Sequence, residues 1–466
     1  MLLLLRKILF YFFLVAYFLL IPYVILYALG YIFNPVERSL VKTGLISVAT
    51  YPKYATVHIQ GKKFSEKTPT RVNDLLPGRY RIRVSKKGFD SWEKEIEIFP
   101  EKAVQLEPIV LLPLRPEREV ISSQGYAGML PFIVESKIIA WTNKELGSLR
   151  KVDLFFKKDT PIRFSGFQKE FPKISDIFIR KGSEIAILKT ESKGKPGYWC
   201  LDPTRERKVI QDLSPLVTFI PKSVSWDPHD PDQIYFLHDG GLDLIDRSRM
   251  AIEPKIATGV IGFGADYRRL VLLKKDFSLV ETDPHGRHPE PLLGDPVLSQ
   301  QIFSPESSNT YRIEVLQRDL LIFLSDQGAL ISNRMPYHLV DKDVIGVEYT
   351  EHADTEKLLF WTQRTVGVID FSRMKGGLFE LGPKRILLYQ SGQKIRQAFW
   401  AYDDTHVIFV DNQKVYLLEA KEPWPYQVRF LEQIAPDTLV EYSDRRRSLY
   451  FIDSQTRHLI RRKLVD

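Results

Sequence analysis

Three kinds of hydrophobic patterning follow one another along the chain. From Ile8 through Val36 no charged residue occurs, and most positions are Leu, Ile, Val, Phe, Tyr or Ala. Crossing a hydrocarbon core of ~30 Å takes roughly 20 helical residues, so Ile8 to Phe33 is long enough to span with tilt. From Gly44 to about Leu114 the period becomes two: Tyr80, Ile82 and Val84 alternate with Arg79, Arg81 and Arg83, and Trp92, Ile96 and Ile98 with Glu93, Glu95 and Glu97. That alternation predicts strands with one buried face. If the two strands pair across Lys87-Gly88, arginines and glutamates share the outward face as a solvated, charge-laced ladder. Beyond the linker Leu112-Pro113-Leu114-Arg115-Pro116, short apolar runs begin at Ile138, Ile185, Ile234, Leu270, Leu321, Leu358, Val407 and Leu449, each followed by a turn and a second run.

The expected organisation is a cytoplasmic tip and transmembrane helix over residues 1–36, a neck over 37–43, a small β domain over 44–114, a linker over 115–118, and one long β region over 119–466. Tyr11, Tyr27 and Tyr31 suit the membrane interfaces, where an amphipathic ring is half wet, and Pro22 interrupts the helix. A cleaved signal peptide competes, because Ala28-Leu29-Gly30 has the small residues of a cleavage site. The apolar region is nevertheless longer than the ~7–15 residues usual there, which favours a retained anchor. Arg6 and Lys7 precede the helix, whereas Glu37 and Arg38 cancel after it, so the positive-inside bias places the N-terminus in the cytoplasm and the remainder outside it. The expected location is a cytoplasmic membrane, crossed once.

The turns of the small domain follow a recognisable order. Tyr51-Pro52-Lys53-Tyr54-Ala55 leads to a strand ending at Gln60-Gly61-Lys62, then Thr68-Pro69-Thr70, Leu76-Pro77-Gly78 and Lys86-Lys87-Gly88-Phe89. Pro52 fixes φ at a turn, Gly61 and Gly88 allow positive φ, and Pro77-Gly78 suits a type II turn. With Ala55 and Pro69, these positions resemble the PEGA domain family, although the acidic and glycine positions of the namesake turn are replaced by Lys53 and Tyr54. The resemblance implies a small β-sandwich module of envelope and surface proteins, a spacer or binding module, and transfers no active site.

The repeated runs recur at a mean step of about 44 residues, close to one four-stranded propeller blade. Trp226-Asp227-Pro228, Phe303-Ser304-Pro305, Trp400-Ala401-Tyr402-Asp403 and Tyr442-Ser443-Asp444 resemble degenerate turns of TolB-like and WD-repeat-like propellers. The predicted fold is therefore mainly β: transmembrane helix, PEGA-like sandwich and a β-propeller. Eight blades are favoured, and seven follow if the irregular first or fifth unit is not a full blade. The last unit is short of a strand, and Glu119-Val120-Ile121 is expected to supply it and close the ring.

Composition narrows the function. The formal charge of +8 is a gradient: residues 44–115 hold 13 basic against 8 acidic side chains, whereas residues 116–466 hold 49 of each. A neutral propeller lacks the basic stripe that nucleic-acid binding needs, and one cysteine excludes an intrachain disulfide. No G-x-S-x-G, H-E-x-x-H, P-loop or C-x-x-C motif occurs. Gly262-Phe263-Gly264 lacks a third glycine and reads as a strand crossing close neighbours. His285-Gly286-Arg287-His288 reads as a polar loop, Asp227, Asp230 and Asp232 as a turn, and Cys200 as a buried apolar residue; no metal or cofactor is expected. The reading is a membrane-anchored, extracytoplasmic, non-enzymatic binding or scaffolding protein of a bacterial envelope, contacting the bilayer through its helix and a cell-wall polymer or envelope protein beyond it. The alternatives are a propeller hydrolase of glycans or peptides and a TolB-like accessory subunit of a transport or secretion machine.

Overall fold

The computed structural model describes residues 2–35, 38–164, 171–179, 185–192, 194–205, 209–292, 303, 310–316, 320–333, 338–352, 355–371, 384–421 and 423–465. Of the propeller-type turns, Ser304 and Pro305 lie outside the described residues, as do Val36 and Glu37 of the expected helix end and neck. The chain divides into two compact units, Met1–Arg118 with Arg445–Ser448 and Arg462–Asp466, and Glu119–Asp444 with Leu449–Arg461.

The first unit opens with helix α1, Leu2–Ala28, whose 27 residues extend about 40 Å at 1.5 Å per residue. Its stretch Ile8–Ala28 has a mean hydropathy of 2.5 and is long and apolar enough to cross a membrane. The helix stops earlier than the apolar pattern suggests. Leu29 N–H donates to the Ile25 carbonyl and Gly30 N–H to that of Tyr27, and Gly30 takes φ +79°, the left-handed conformation that ends helices. Tyr31 is therefore not a helix residue. It opens strand β1, Tyr31–Asn34, which pairs antiparallel with β2, Ser39–Lys42, in an isolated two-stranded hairpin where the sequence suggested helix and neck.

Seven further strands follow: β3 Gly44–Tyr51, β4 Thr56–Ile59, β5 Lys62–Lys67, β6 Thr70–Leu75, β7 Gly78–Ser85, β8 Trp92–Ile98 and β9 Ala103–Val110. They form one sheet in the order β6-β3-β9, with β3 antiparallel to β6 and parallel to β9, and a second in the order β5-β4-β7-β8. Period-two alternation turns Ile46 and Val48 of β3, Val57 of β4, Ile82 and Val84 of β7, and Trp92, Ile96 and Ile98 of β8 into one core. Each such side chain contributes about 1.5–3 kcal/mol on full burial. Lys94 occupies an inward position of β8 and holds its ammonium over the Trp92 ring at 5.7 Å.

The second region begins with β10, Glu117–Ser122. Among the described residues the later strands group as antiparallel meanders of four, over residues 128–161, 173–212, 223–257, 260–291, 311–341, 344–390 and 395–433. An eighth has three strands of its own, Glu441–Ser443, Ser448–Ile452 and Leu459–Lys463, and takes β10 as its fourth, beside Leu459–Lys463. The expected closure by Glu119-Val120-Ile121 is thus what the pairing shows. Among the described residues, seven apolar cores alternate with the meanders. One joins Ile121 of β10, Tyr450, Ile452 and Leu459 to Ile138 and Val152 of the first meander, and others join first to second, and so on to seventh. Between the seventh and eighth, the Gln397 amide bonds both backbone groups of Val440 at 3.0 and 3.1 Å. This radial arrangement is a β-propeller.

Each of the eight apolar runs lies on or at the start of the second strand of a meander. That strand is paired on both edges and covered on both faces by neighbouring meanders, so it reads as continuously apolar rather than alternating; Ile234 to Leu237 and Val407 to Val410 are all buried.

Candidate functional site

The turn positions of the small domain each have a local role. Pro52 and Pro69 both follow cis bonds, and the two bends are tied together. The Thr50 and Thr68 hydroxyls lie 2.6 Å apart, the Thr50 hydroxyl donates to the Pro52 carbonyl at 2.7 Å, and Ala55 N–H donates to Thr68 Oγ1 at 2.9 Å. Ala55 is fully buried, so the bend needs a side chain no larger than a methyl. Gly61 and Gly88 have φ of +78° and +86°, as their turns require. Pro77-Gly78 differs from expectation: Gly78 has φ +151°, far from the ~+80° of a type II turn, because it already pairs with Ile98 as the first residue of β7. Tyr80 holds this entry by donating its hydroxyl to the Leu76 carbonyl at 2.9 Å.

The outward face of the β5-β4-β7-β8 sheet is charged in rows. Arg79, Arg81 and Arg83 stand opposite Glu97, Glu95 and Glu93, and the nearest contacts, Arg81–Glu93 at 3.6 Å and Arg83–Glu93 at 4.0 Å, are exposed. Such pairs are worth about 0–1 kcal/mol and leave the face wet. On the other side of β7, His58 stands beside Arg83 and opposite Lys63. Lysines on β5 and arginines on β7 thus make this a mostly basic surface edged by the glutamates of β8.

The terminal anchor residues are placed as follows. Arg6, Tyr11 and Tyr27 lie exposed on α1, Pro22 lies inside the helix, and the Lys7 side chain lies outside what is described.

Several chemistry-bearing side chains described in the propeller are engaged in structural contacts. Arg247, 2% exposed, donates to Asp202 Oδ2 at 2.6 Å, to Asp232 Oδ1 at 2.6 Å and to Cys200 Sγ at 3.2 Å, bridging the second and third meanders. Arg205 reaches Asp202 at 3.2 Å and Asp232 at 2.5 Å. Burial pushes the Cys200 thiol up to about 11, against the pull of Arg247, so it is a neutral thiol. Burial also works against ionised Asp202, but the Thr204 hydroxyl and the Arg247 guanidinium outweigh it and hold that carboxyl below its usual range. Asp227 is consumed in its turn, accepting from His229 and Asp230 N–H at 2.7 and 3.1 Å and lying 3.0 Å from the buried Tyr235 hydroxyl. Burial and that carboxylate push the phenol far up. Asp283 likewise caps His285 and Arg287 N–H, and the His285 ring faces Glu253 at 3.1 Å. Among the described residues no three His, Cys, Asp or Glu side chains gather as a metal site. The Gly262-Phe263-Gly264 segment is what the sequence suggested. Its strand, Val260–Ala265, pairs in parallel with Tyr311–Val315, the first strand of the next meander, and a Cβ on Gly264 would lie 2.1 Å from the Ile313 carbonyl oxygen.

The sequence reading did not single out a set of exposed aromatic side chains on the propeller. Successive strands of a meander alternate in direction, so turns between first and second and between third and fourth strands emerge on one face of the propeller. That face carries Phe155 and Phe156, 72% and 75% exposed, Tyr267 at 76% and Trp424 at 75%. The Phe pair is held outward by Asp153, whose Oδ1 accepts both their N–H groups at 2.9 and 2.8 Å, and it is followed by Lys157 and Lys158. Two adjacent phenylalanines followed by two lysines, with an Asp two residues before, are the sequence signal that marks such a tip.

The PEGA domain model matches residues 43–110. This part of the chain is a PEGA domain. The match adds the bends at Pro52 and Pro69 and the basic sheet face to a known type of module and leaves the propeller unassigned. No curated protein sequence matches the chain. Among solved structures it is similar to PorZ, an essential bacterial surface component of the type-IX secretion system of Porphyromonas gingivalis, at 14% identity and TM-score 0.37 over 72% of this chain; the chain spans 42% of the length of that protein. It is similar to the Cps50 (Swd1) β-propeller domain of Myceliophteria thermophila at 11% identity and TM-score 0.35, covering 63% of this chain and 96% of that one. It is also similar to the computationally designed Ika8 protein at 11% identity and TM-score 0.45, covering 75% and 100%. At these values the likenesses carry no argument about activity, and the propeller rests on the strand pairing.

Proposed function

We propose that this chain is a membrane-anchored, non-enzymatic binding or scaffolding protein of a bacterial cell envelope, with α1 retained as a single-pass anchor, its N-terminus cytoplasmic, and the PEGA domain and an eight-bladed propeller outside the membrane. The observation that carries this reading is the PEGA domain at residues 43–110 following a 21-residue apolar stretch, Ile8–Ala28, across a short hairpin. PEGA domains are extracytoplasmic modules, and a chain that reaches that compartment after a membrane-long helix needs nothing further to be held at the surface. The basic sheet face supplies attraction toward anionic headgroups or wall polymers, each close basic group adding about 1 kcal/mol near such a surface. The neutral propeller offers its aromatic tips, which recognise a partner by apolar contact and shape. The test has two arms. Alkaline phosphatase fused after Asp466 is expected to be active and a cytoplasm-only reporter silent, and the reverse overturns the orientation. Photo-crosslinkers at Phe156 and Trp424 in intact cells are expected to capture one envelope component; no capture at either position, with normal expression, overturns the binding role.

A further inference from the structure

The β1-β2 hairpin lies outside both sheets of the PEGA sandwich and, among the described residues, forms a sheet of two strands. An isolated two-stranded hairpin is marginal in water. This one is tied at its base: the Gly30 carbonyl, at the end of α1, accepts from Thr43 N–H at 2.9 Å and from Thr43 Oγ1 at 3.1 Å, and the Thr43 carbonyl accepts from Glu101 N–H at 3.0 Å. Two residues therefore separate the hairpin from the last residue of the helix, and it ends where the PEGA domain begins. Its register puts Tyr31 opposite Lys42 and Phe33 opposite Leu40, so these four side chains share a face. Phe33 is 57% and Leu40 50% exposed. At the base of that face the Lys42 ammonium lies 5.3 Å from the Tyr31 ring centroid and pairs with Glu101. Tyrosine, phenylalanine and leucine with an adjoining lysine is the composition of the headgroup boundary, where rings sit half wet and a lysine reaches back to the polar layer.

Resting on the reading of α1 as a transmembrane anchor, we infer that the hairpin is a membrane-interface collar: its Tyr31, Phe33, Leu40 and Lys42 face lies in the headgroup and upper acyl region of the bilayer that α1 crosses. The occupant of the apolar face is lipid. Continuity decides this, since a span ending at Ala28 leaves only Leu29 and Gly30 before Tyr31. The lipid supplies the apolar cover that a lone hairpin lacks. The function is mechanical: the neck is a bonded wedge, and it holds the PEGA domain at a fixed height above the surface.

The experiment uses the full chain in vesicles of phosphatidylcholine with phosphatidylglycerol, carrying one nitroxide at a time at Phe33→Cys, Leu40→Cys, the opposite-face Ser39→Cys, the helix control Phe18→Cys and the aqueous control Lys62→Cys, in a Cys200→Ala background. Collision with oxygen against a water-soluble nickel chelate reads depth. The expected result is an oxygen-to-nickel ratio at positions 33 and 40 several-fold above that at 39 and 62 and below that at 18. Water-like ratios at 33 and 40 with a deep position 18 overturn the collar and leave the anchor standing. A water-like ratio at 18 overturns the anchor and the collar with it. Shielding at 33 and 40 accompanied by spin–spin broadening, the mark of a second copy on this face, also overturns the collar.

Discussion

Replacing Gly264 by Ala probes a close backbone approach between two propeller strands. The added Cβ would meet the Ile313 carbonyl oxygen at 2.1 Å, the carbonyl carbon at 2.8 Å and the Ile313 Cβ at 3.0 Å. Carbon and oxygen need about 3.3 Å, and the obstacle is backbone, so no rotamer change relieves the clash. The first strands of the fourth and fifth meanders must separate by roughly an ångström, which breaks the parallel pairing of Gly262 with Tyr311 and Phe263 with Arg312. Overpacking costs about 1–3 kcal/mol, and each lost backbone bond about 0.5–1.5 kcal/mol, giving roughly 2–5 kcal/mol in all. At about 2.1 cal/mol/K per residue, a propeller of ~350 residues unfolds with an entropy near 0.7 kcal/mol/K, so Tm should fall by ~3–7 °C. Differential scanning calorimetry of the full-length protein reads this. Gly392→Ala, where nothing lies within 4 Å of the new methyl, is the control and should move Tm by less than ~1 °C. A Gly264→Ala protein that melts with its parent would show that the two strands are not in contact and would refute the seam.

Other outcomes follow from the buried charges and the tips. Arg247→Met takes the buried guanidinium from Asp202 and leaves it the part-exposed Arg205, which should cost about 3 kcal/mol, whereas Arg247→Met with Asp202→Leu should recover most of it; equal losses in calorimetry would contradict the pairing. Cys200 should resist alkylation at pH 8 in the native protein and react after unfolding. Because its folded thiol titrates near 11, above the unfolded value of ~8.5, stability should be level below pH ~8.5 and fall as pH rises toward 11, a slope that Cys200→Ala removes. Asp202 has the opposite sign: its folded carboxyl is depressed, so its contribution is present above about pH 4 and lost as pH falls through the folded value, and Asp202→Asn should flatten the acid limb of a pH–Tm curve. Phe155→Ser with Phe156→Ser should leave Tm within ~1 °C, since the rings are exposed, while weakening capture by the crosslinker at Trp424.

The propeller was legible because its second strands are apolar without interruption, and the PEGA domain because its strands alternate and its turns carry Pro and Gly. What escaped reading was set by weaker or longer-range signals. First and fourth strands such as Gly128–Met129 and Glu290–Pro291 are too short to show a period. The hairpin was hidden because Tyr31-Ile32-Phe33 continues the apolar run, and the break at Gly30 is a single residue. Asp202 and Arg247 are 45 residues apart, and the fold alone brings them into contact. Phe155 and Phe156 look like core residues until Asp153 turns them outward.

The ring is closed by β10, and β10 is also the first propeller strand after the tether. Chain continuity holds every other neighbouring pair of meanders together, but the last seam rests on strand pairing, on Ile121 in its core and on Glu119, which grips Lys157 of the first meander at 2.5 Å and Arg461 of the eighth at 2.6 Å. Those cations hold the Glu119 carboxyl below its usual range, so the grip persists into mild acid. Along the chain, a load applied between the N-terminal part and the propeller enters through this strand. Pulling between the two ends of such a load is expected to separate β10 from Leu459–Lys463 and open the ring before any meander unravels.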